Sequence, residues 1–139
     1  MVIGGTITLD HENKYKKSLN SFDQDSFMGD WKTKTCGKAS VFNLMTKENY
    51  SGELIHLSIA PKKQIKFKYK TSLNKNVSTI CFYVVHGSLK STIDSKLFKV
   101  NRNDLLLINC MNLSFVHEFI FSSDSLEITH IIASIIYHS

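Results

Sequence analysis

The sequence predicts an all-β fold, a barrel or sandwich of about eight short strands, and three observations carry that expectation. Short runs rich in β-branched and aromatic residues recur at close spacing, among them Gln64 to Tyr69 and Ile80 to Val85. Polar turn residues stand between them, as at Pro61-Lys62-Lys63 and Asn101-Arg102-Asn103-Asp104. No stretch keeps a helical apolar period long enough for an amphipathic helix. A chain of 139 residues with an ordinary apolar fraction is one domain by size, with room for one sizeable core.

The elements follow in chain order. Met1 to Leu9 reads as a short β-prone arm, and Asp10 to Asp30 as a polar loop with at most one helical turn, since it has few apolar anchors. Residues 1–37 therefore form an arm and polar region, and residues 38–139 the β-barrel domain. Ala39 to Met45, Leu54 to Ile59 and Gln64 to Tyr69 are strands, and Leu73 to Val77 is a loop. Ile80 to Val85 is a strand that stops at Gly87, where the chain can bend without a Cβ clash. Leu89 to Val100 is a hairpin turning near Asp94-Ser95. Leu105 to Ile108, an unbroken apolar run between turns, predicts a strand buried on both faces. Leu113 to Phe121 and the Ile-rich Leu126 to Tyr137 complete the set, joined by a turn at Ser122 to Ser125.

Within this pattern, Ile80 to Asn109 resembles the conserved half of a small-barrel cupin, in particular the amino-terminal sensing domain of AraC-type transcription regulators. The residues that carry the resemblance are Tyr83, Val84 and Gly87, then Asn103-Asp104 leading into Leu105 to Asn109, with Cys110 where such domains place a proline. The resemblance implies a cupin-like barrel, that is, a double-stranded β-helix or jelly roll. It also implies a small-molecule effector inside the barrel and an amino-terminal arm that can cover it. It further implies a homodimer in the parent protein, and DNA contact only through a helix-turn-helix domain that this chain does not contain. The alternative is a stand-alone, metal-free cupin-like small-molecule binding protein.

Metal-binding cupins carry a His-x-His pair, a glutamate and a further histidine. The corresponding positions here are Asn74, Asn76, Ile80 and Ser114, none of them an imidazole or carboxylate. A transition metal needs three or four such ligands converging, so neither metal nor other cofactor is expected. Asn74, Asn76 and Ser114 could instead hydrogen-bond a ligand, although Asn is also an ordinary loop residue. His86 continues the alternation of Ile80, Phe82 and Val84, the residues expected to line the barrel, and is the best single candidate for a ligand-facing polar group.

The rest of the sequence excludes more than it suggests. Gln64 to Lys70 alternates lysine with apolar or aromatic residues in period two, which puts the two sets on opposite faces of an outer strand and not together as a nucleic-acid surface. Cys36, Cys81 and Cys110 form no paired motif and read as reduced thiols. The net charge of +5 is a modest attraction for polyanions. Trp31 is expected to anchor the polar loop to the barrel. No nucleophile–base–acid spacing, phosphate loop or dinucleotide fingerprint is present, which argues against an enzyme. With no membrane helix and no secretory signal in the sequence, the expected location is the cytoplasm.

Overall fold

The structure, a computed structural model, describes residues 1–70, 76–93, 95–110 and 116–138. Every regular element among the described residues is a strand, and none of them forms a helix long and apolar enough to cross a membrane. The chain divides into two compact units, Met1–Asn43 and Leu44–Ser139, where its size had suggested one. The division expected between residues 37 and 38 falls inside a strand that the first unit uses whole.

That first unit is a three-stranded antiparallel sheet. β1 (Val2–His11) is central, with β2 (Tyr15–Leu19) and β3 (Thr33–Val41) on either side. The segment expected to be an arm is thus the middle of a sheet, and the region expected to be loop contains a strand. The turn between β1 and β2 places Asn13 at φ 59°, a left-handed conformation that Asn tolerates, while Lys14 N–H donates to the His11 carbonyl at 2.9 Å. Tyr15–Leu19 escapes a reading by hydrophobic period because an edge strand leaves most side chains in water, and here only Leu19 is buried. Val2, Ile7, Leu9 and Leu19 form the unit's small core, with Ala39 packed against it. The strand expected at Ala39 to Met45 begins at Thr33 instead, and Gly37 within it has φ 108°, where an added Cβ would meet the Thr6 carbonyl oxygen at 2.6 Å.

Among its described residues the second unit holds eight strands: β4 (Tyr50–Ile59), β5 (Gln64–Lys70), β6 (Asn76–His86), β7 (Ser88–Ile93), β8 (Lys96–Asn101), β9 (Leu105–Asn109), β10 (Val116–Ser122) and β11 (Thr129–His138). They pair antiparallel in two sheets, ordered β4-β11-β6-β9 and β5-β10-β7-β8. The chain steps from one sheet to the other at β4 to β5, β5 to β6 and β6 to β7, then returns in the opposite sense. That is the two-sheet, double Greek-key path of a jelly roll, so the cupin-like barrel expected from the sequence is the fold observed.

Alternate residues of both sheets fill the interior. Ile80, Phe82 and Val84 of β6 and Ile131, Ala133 and Ile135 of β11 are fully buried, opposite Leu89 of β7 and Phe121 of β10. Burying each large side chain contributes about 1.5–3 kcal/mol. As the period-two pattern of β5 requires, Phe67 is buried while Lys66 and Lys68 stand on the outer face and share the Glu118 carboxylate.

Turns fall where the polar residues are. Ser95 (φ 63°) adopts left-handed backbone at the corner of the β7–β8 hairpin, as do Lys62 (φ 55°) and Asn103 (φ 68°) at turns that carry the chain from one sheet to the other; Asp94, beside Ser95, lies outside the described residues. Asp104 accepts the Asn101 N–H at 3.0 Å and closes its turn. Gly87 (φ 80°) lies so close to Thr129 that no Cβ would fit. One expectation is corrected: β9 is not covered on both faces but forms the edge of its sheet, with Leu105 and Leu107 51% and 53% exposed. Leu106 and Ile108 pack against the core while Leu105 and Leu107 lie on the outer face of an antiparallel sheet, and an apolar run is buried on both sides only where a further layer covers that face.

Candidate functional site

Of the four candidate ligand residues selected from sequence, the structure describes two, and those two stand at opposite ends of one strand. Asn74 and Ser114 lie outside the described residues. Asn76 opens β6, exposed and paired with His138, whereas His86 closes the same strand. Ten residues at roughly 3.3 Å each put them about 33 Å apart, too far for one small ligand.

His86 also faces away from the barrel interior. Val84 pairs with Ile131 but His86 with His130, so Val85 is an extra residue in the ladder. Such a bulge shifts the register by one, and a one-residue shift moves a side chain to the other face. His86 consequently leaves the face of Ile80, Phe82 and Val84, and its Nε2 meets the exposed Glu127 carboxylate. On the same sheet His56 and His130 stack with ring nitrogens 3.0 Å apart. Burial, reinforced by the charge of a neighbouring histidine, lowers the pKa of both, His130 acting on His56 and His86 on His130. Among the described residues no three histidine, cysteine or acidic side chains converge tightly enough to hold a metal ion.

Aromatic rings occupy much of the described barrel interior. Phe67, Phe82, Phe119 and Phe121 pack as one cluster, with neighbouring rings 4.7–6.4 Å apart. At the Asn76 end, the hydroxyls of Tyr69 and Tyr137 hydrogen-bond each other, and burial raises the pKa of both phenols, keeping them protonated.

Open space lies in the first unit, in a cavity of about 500 Å³ over one face of the three-stranded sheet. Ile7, Leu9 and Leu19 form part of its floor, Thr33, Thr35 and Ala39 of β3 one side, and Asp25 and Phe27 come from the loop of residues 20–32. Pairing places His11 beside Tyr15 on β2 and Thr33 on β3, so all three share this face with Leu9 two residues earlier.

His11 is fully buried and uses both ring nitrogens: Nδ1 lies 2.7 Å from Thr33 Oγ1, and Nε2 lies 3.0 Å from Asp25 Oδ2. Its ring is enclosed by Tyr15, Phe27 and Trp31, with centroids 4.7, 4.5 and 5.5 Å away. Asp25, 7% exposed, also accepts from the Tyr15 hydroxyl at 3.1 Å and from Lys17 Nζ at 3.3 Å. Desolvation by itself would raise the pKa of this carboxyl; hydrogen bonds from His11, Lys17 and Tyr15 outweigh it and hold the pKa below the ordinary aspartate range. Asp25 is thus an anion that ties the loop to the sheet. Trp31 anchors the same loop within the first unit, against Tyr15 and Phe27, with Lys14 Nζ 4.8 Å from its ring centroid.

Sequence reasoning passed over His11, Asp25 and Thr33. One signal was available: His11 ends the alternation Ile7, Leu9, His11, which would put it on a buried face. Its two partners are 14 and 22 residues away and announce nothing locally.

No family model and no curated protein matches the chain. Among solved structures, a conserved protein of unknown function from Pseudomonas aeruginosa PAO1 aligns over 97% of this chain with a TM-score of 0.70 at 11% identity. This chain spans 66% of that protein. The cupin domain of an XRE family transcriptional regulator from Enterobacter cloacae is 12% identical over 63% of this chain and 96% of its own, with a TM-score of 0.42. The Cnp3 cupin domain of Schizosaccharomyces pombe is 7% identical over 76% of this chain and 79% of its own, with a TM-score of 0.45. At such identities the likeness concerns the fold alone.

Proposed function

We propose that this chain is a non-catalytic small-molecule-binding module and that it serves as the sensing part of a regulator of the AraC type. The observation that carries the binding role is the cavity of about 500 Å³ in the first unit, a volume that suits a small organic ligand. Its apolar floor and few polar groups are the usual composition of such a site. The regulatory role is supported by the resemblance of residues 80–109 to the sensing domains of that family. In this reading the jelly roll, its interior filled by phenylalanine, is the scaffold, and the ligand is held under the loop of residues 20–32. Contact with DNA would belong to a helix-turn-helix, which none of the described residues forms.

The test is a thermal-unfolding screen of small metabolites followed by a cavity-filling variant. A ligand of the native state raises the midpoint by mass action. It should also change the emission of Trp31, the one tryptophan, which stacks beside the cavity-lining Phe27. Ala39→Phe, which fills the cavity from β3, should abolish both responses. A ligand whose effect survives that substitution would put the binding site elsewhere.

A further inference from the structure

The hydrogen bonds around His11 restrict what the cavity can bind. Thr33 lines the cavity, and its hydroxyl has two acceptors in reach, His11 Nδ1 at 2.7 Å and the Trp31 carbonyl at 3.4 Å. If His11 is neutral, Asp25 holds the ring proton on Nε2, so Nδ1 must accept and takes the Thr33 proton. If His11 is an imidazolium, Nδ1–H donates to Thr33 Oγ1 and the hydroxyl proton turns to Trp31. In both states the proton of Thr33 is spent inside the protein, and what remains for a ligand is the lone pairs of its oxygen.

Asp25, the neighbouring polar group of the lining, is an acceptor in any case, with its carboxylate oxygens already taking three donors. Its negative charge is offset by Lys17 at 3.3 Å. Donors also line the cavity, Thr35, Lys38 and Asn43 among them, so the acceptor character belongs to the His11 end, where Thr33 and Asp25 stand.

Resting on the reading of the cavity as a ligand site, we infer that its His11 end takes the O–H or N–H donor of a largely apolar molecule, such as an alcohol, phenol or amide, and disfavours an ether there.

Naphthol and its methyl ether share one ring system and differ only in this respect. Titration calorimetry on the unaltered chain should show naphthol binding roughly tenfold more tightly than the ether, the worth of about one buried hydrogen bond. Thr33→Val should bring naphthol down to the affinity of the ether while leaving the ether unchanged, and Thr33→Ser should restore the preference. An ether that matches naphthol would overturn the inference, as would a gap unaffected by Thr33→Val. Should Thr33→Val fail to fold, the comparison of the two ligands on the unaltered chain still decides. If neither binds, the cavity is not a ligand site and the proposed function falls with it; binding without discrimination overturns only the donor rule.

Discussion

Phe82 of β6 and Phe121 of β10 meet edge to face across the two sheets, their ring centroids 4.7 Å apart at 71°, and both are fully buried. Each ring presents its electropositive edge or its electronegative face to the other, an arrangement worth about 0.5–1.5 kcal/mol beyond the area buried. Phe82→Ala should therefore cost the second unit about 3–5 kcal/mol in chemical denaturation. Lys68→Ala removes only an exposed partner of Glu118, in a pair screened by water, and should cost little. Equal losses in the two variants would mean that β5 and β6 are not oriented as described.

Strong acid should loosen the first unit through Asp25. The folded Asp25 carboxyl titrates below its unfolded counterpart, which has a pKa near 3.9. Its contribution to stability is therefore present above about pH 3.9 and is lost as pH falls through the lower folded value. Trp31, in the same cluster, reports the change by its fluorescence. Asp25→Asn should be less stable at neutral pH and should lack this acid-dependent step; an unchanged acid limb would show that Asp25 does not link the loop to the sheet.

The second unit should weaken over a different window. His56 and His130 have folded pKa values below the ordinary histidine value of about 6.5, burial being the larger cause in each case. The folded state thus binds fewer protons than the unfolded one, so stability is complete above about pH 6.5 and falls as pH drops toward the folded values. Denaturation midpoints should decline between pH 7.5 and 5.5, and His130→Gln should flatten that decline. NMR titration that finds both imidazoles at or above the ordinary value would contradict it.

Gly87→Ala should destabilise the jelly roll by about 1–3 kcal/mol, because φ is 80° and the new Cβ would run into Thr129. The melting temperature should fall with the sheet pattern unchanged. An alanine tolerated without loss would require the β6–β7 corner to be built differently.

The parts of the fold that were legible are those set by neighbours in the chain. Strand alternation is a local property, so Ile80, Phe82 and Val84, and Phe67 against Lys66 and Lys68, could be sorted to their faces from period two alone. Turn residues marked the corners at Gly87 and Asn103 for the same reason: a left-handed backbone conformation is a preference of the residue itself.

What only the tertiary structure decided depends on pairing between distant segments. Whether the outer face of β9 is covered follows from how the sheets are layered, and so the exposure of Leu105 and Leu107 could not be read from their own apolarity. The face of His86 was set by a single extra residue, Val85, in a ladder with β11, some forty residues away, because a register of period two inverts on any one-residue slip. Asp10 to Asp30 reads as loop to a test of apolar period, since the value of Tyr15–Leu19 lies in backbone pairing with β1. The cluster of His11, Asp25 and Thr33 forms only when a β1–β3 ladder and a loop crossing it bring together three polar residues, each ordinary where it stands in the sequence. Side-chain chemistry is written in the sequence, but the convergence that turns it into a site belongs to long-range pairing.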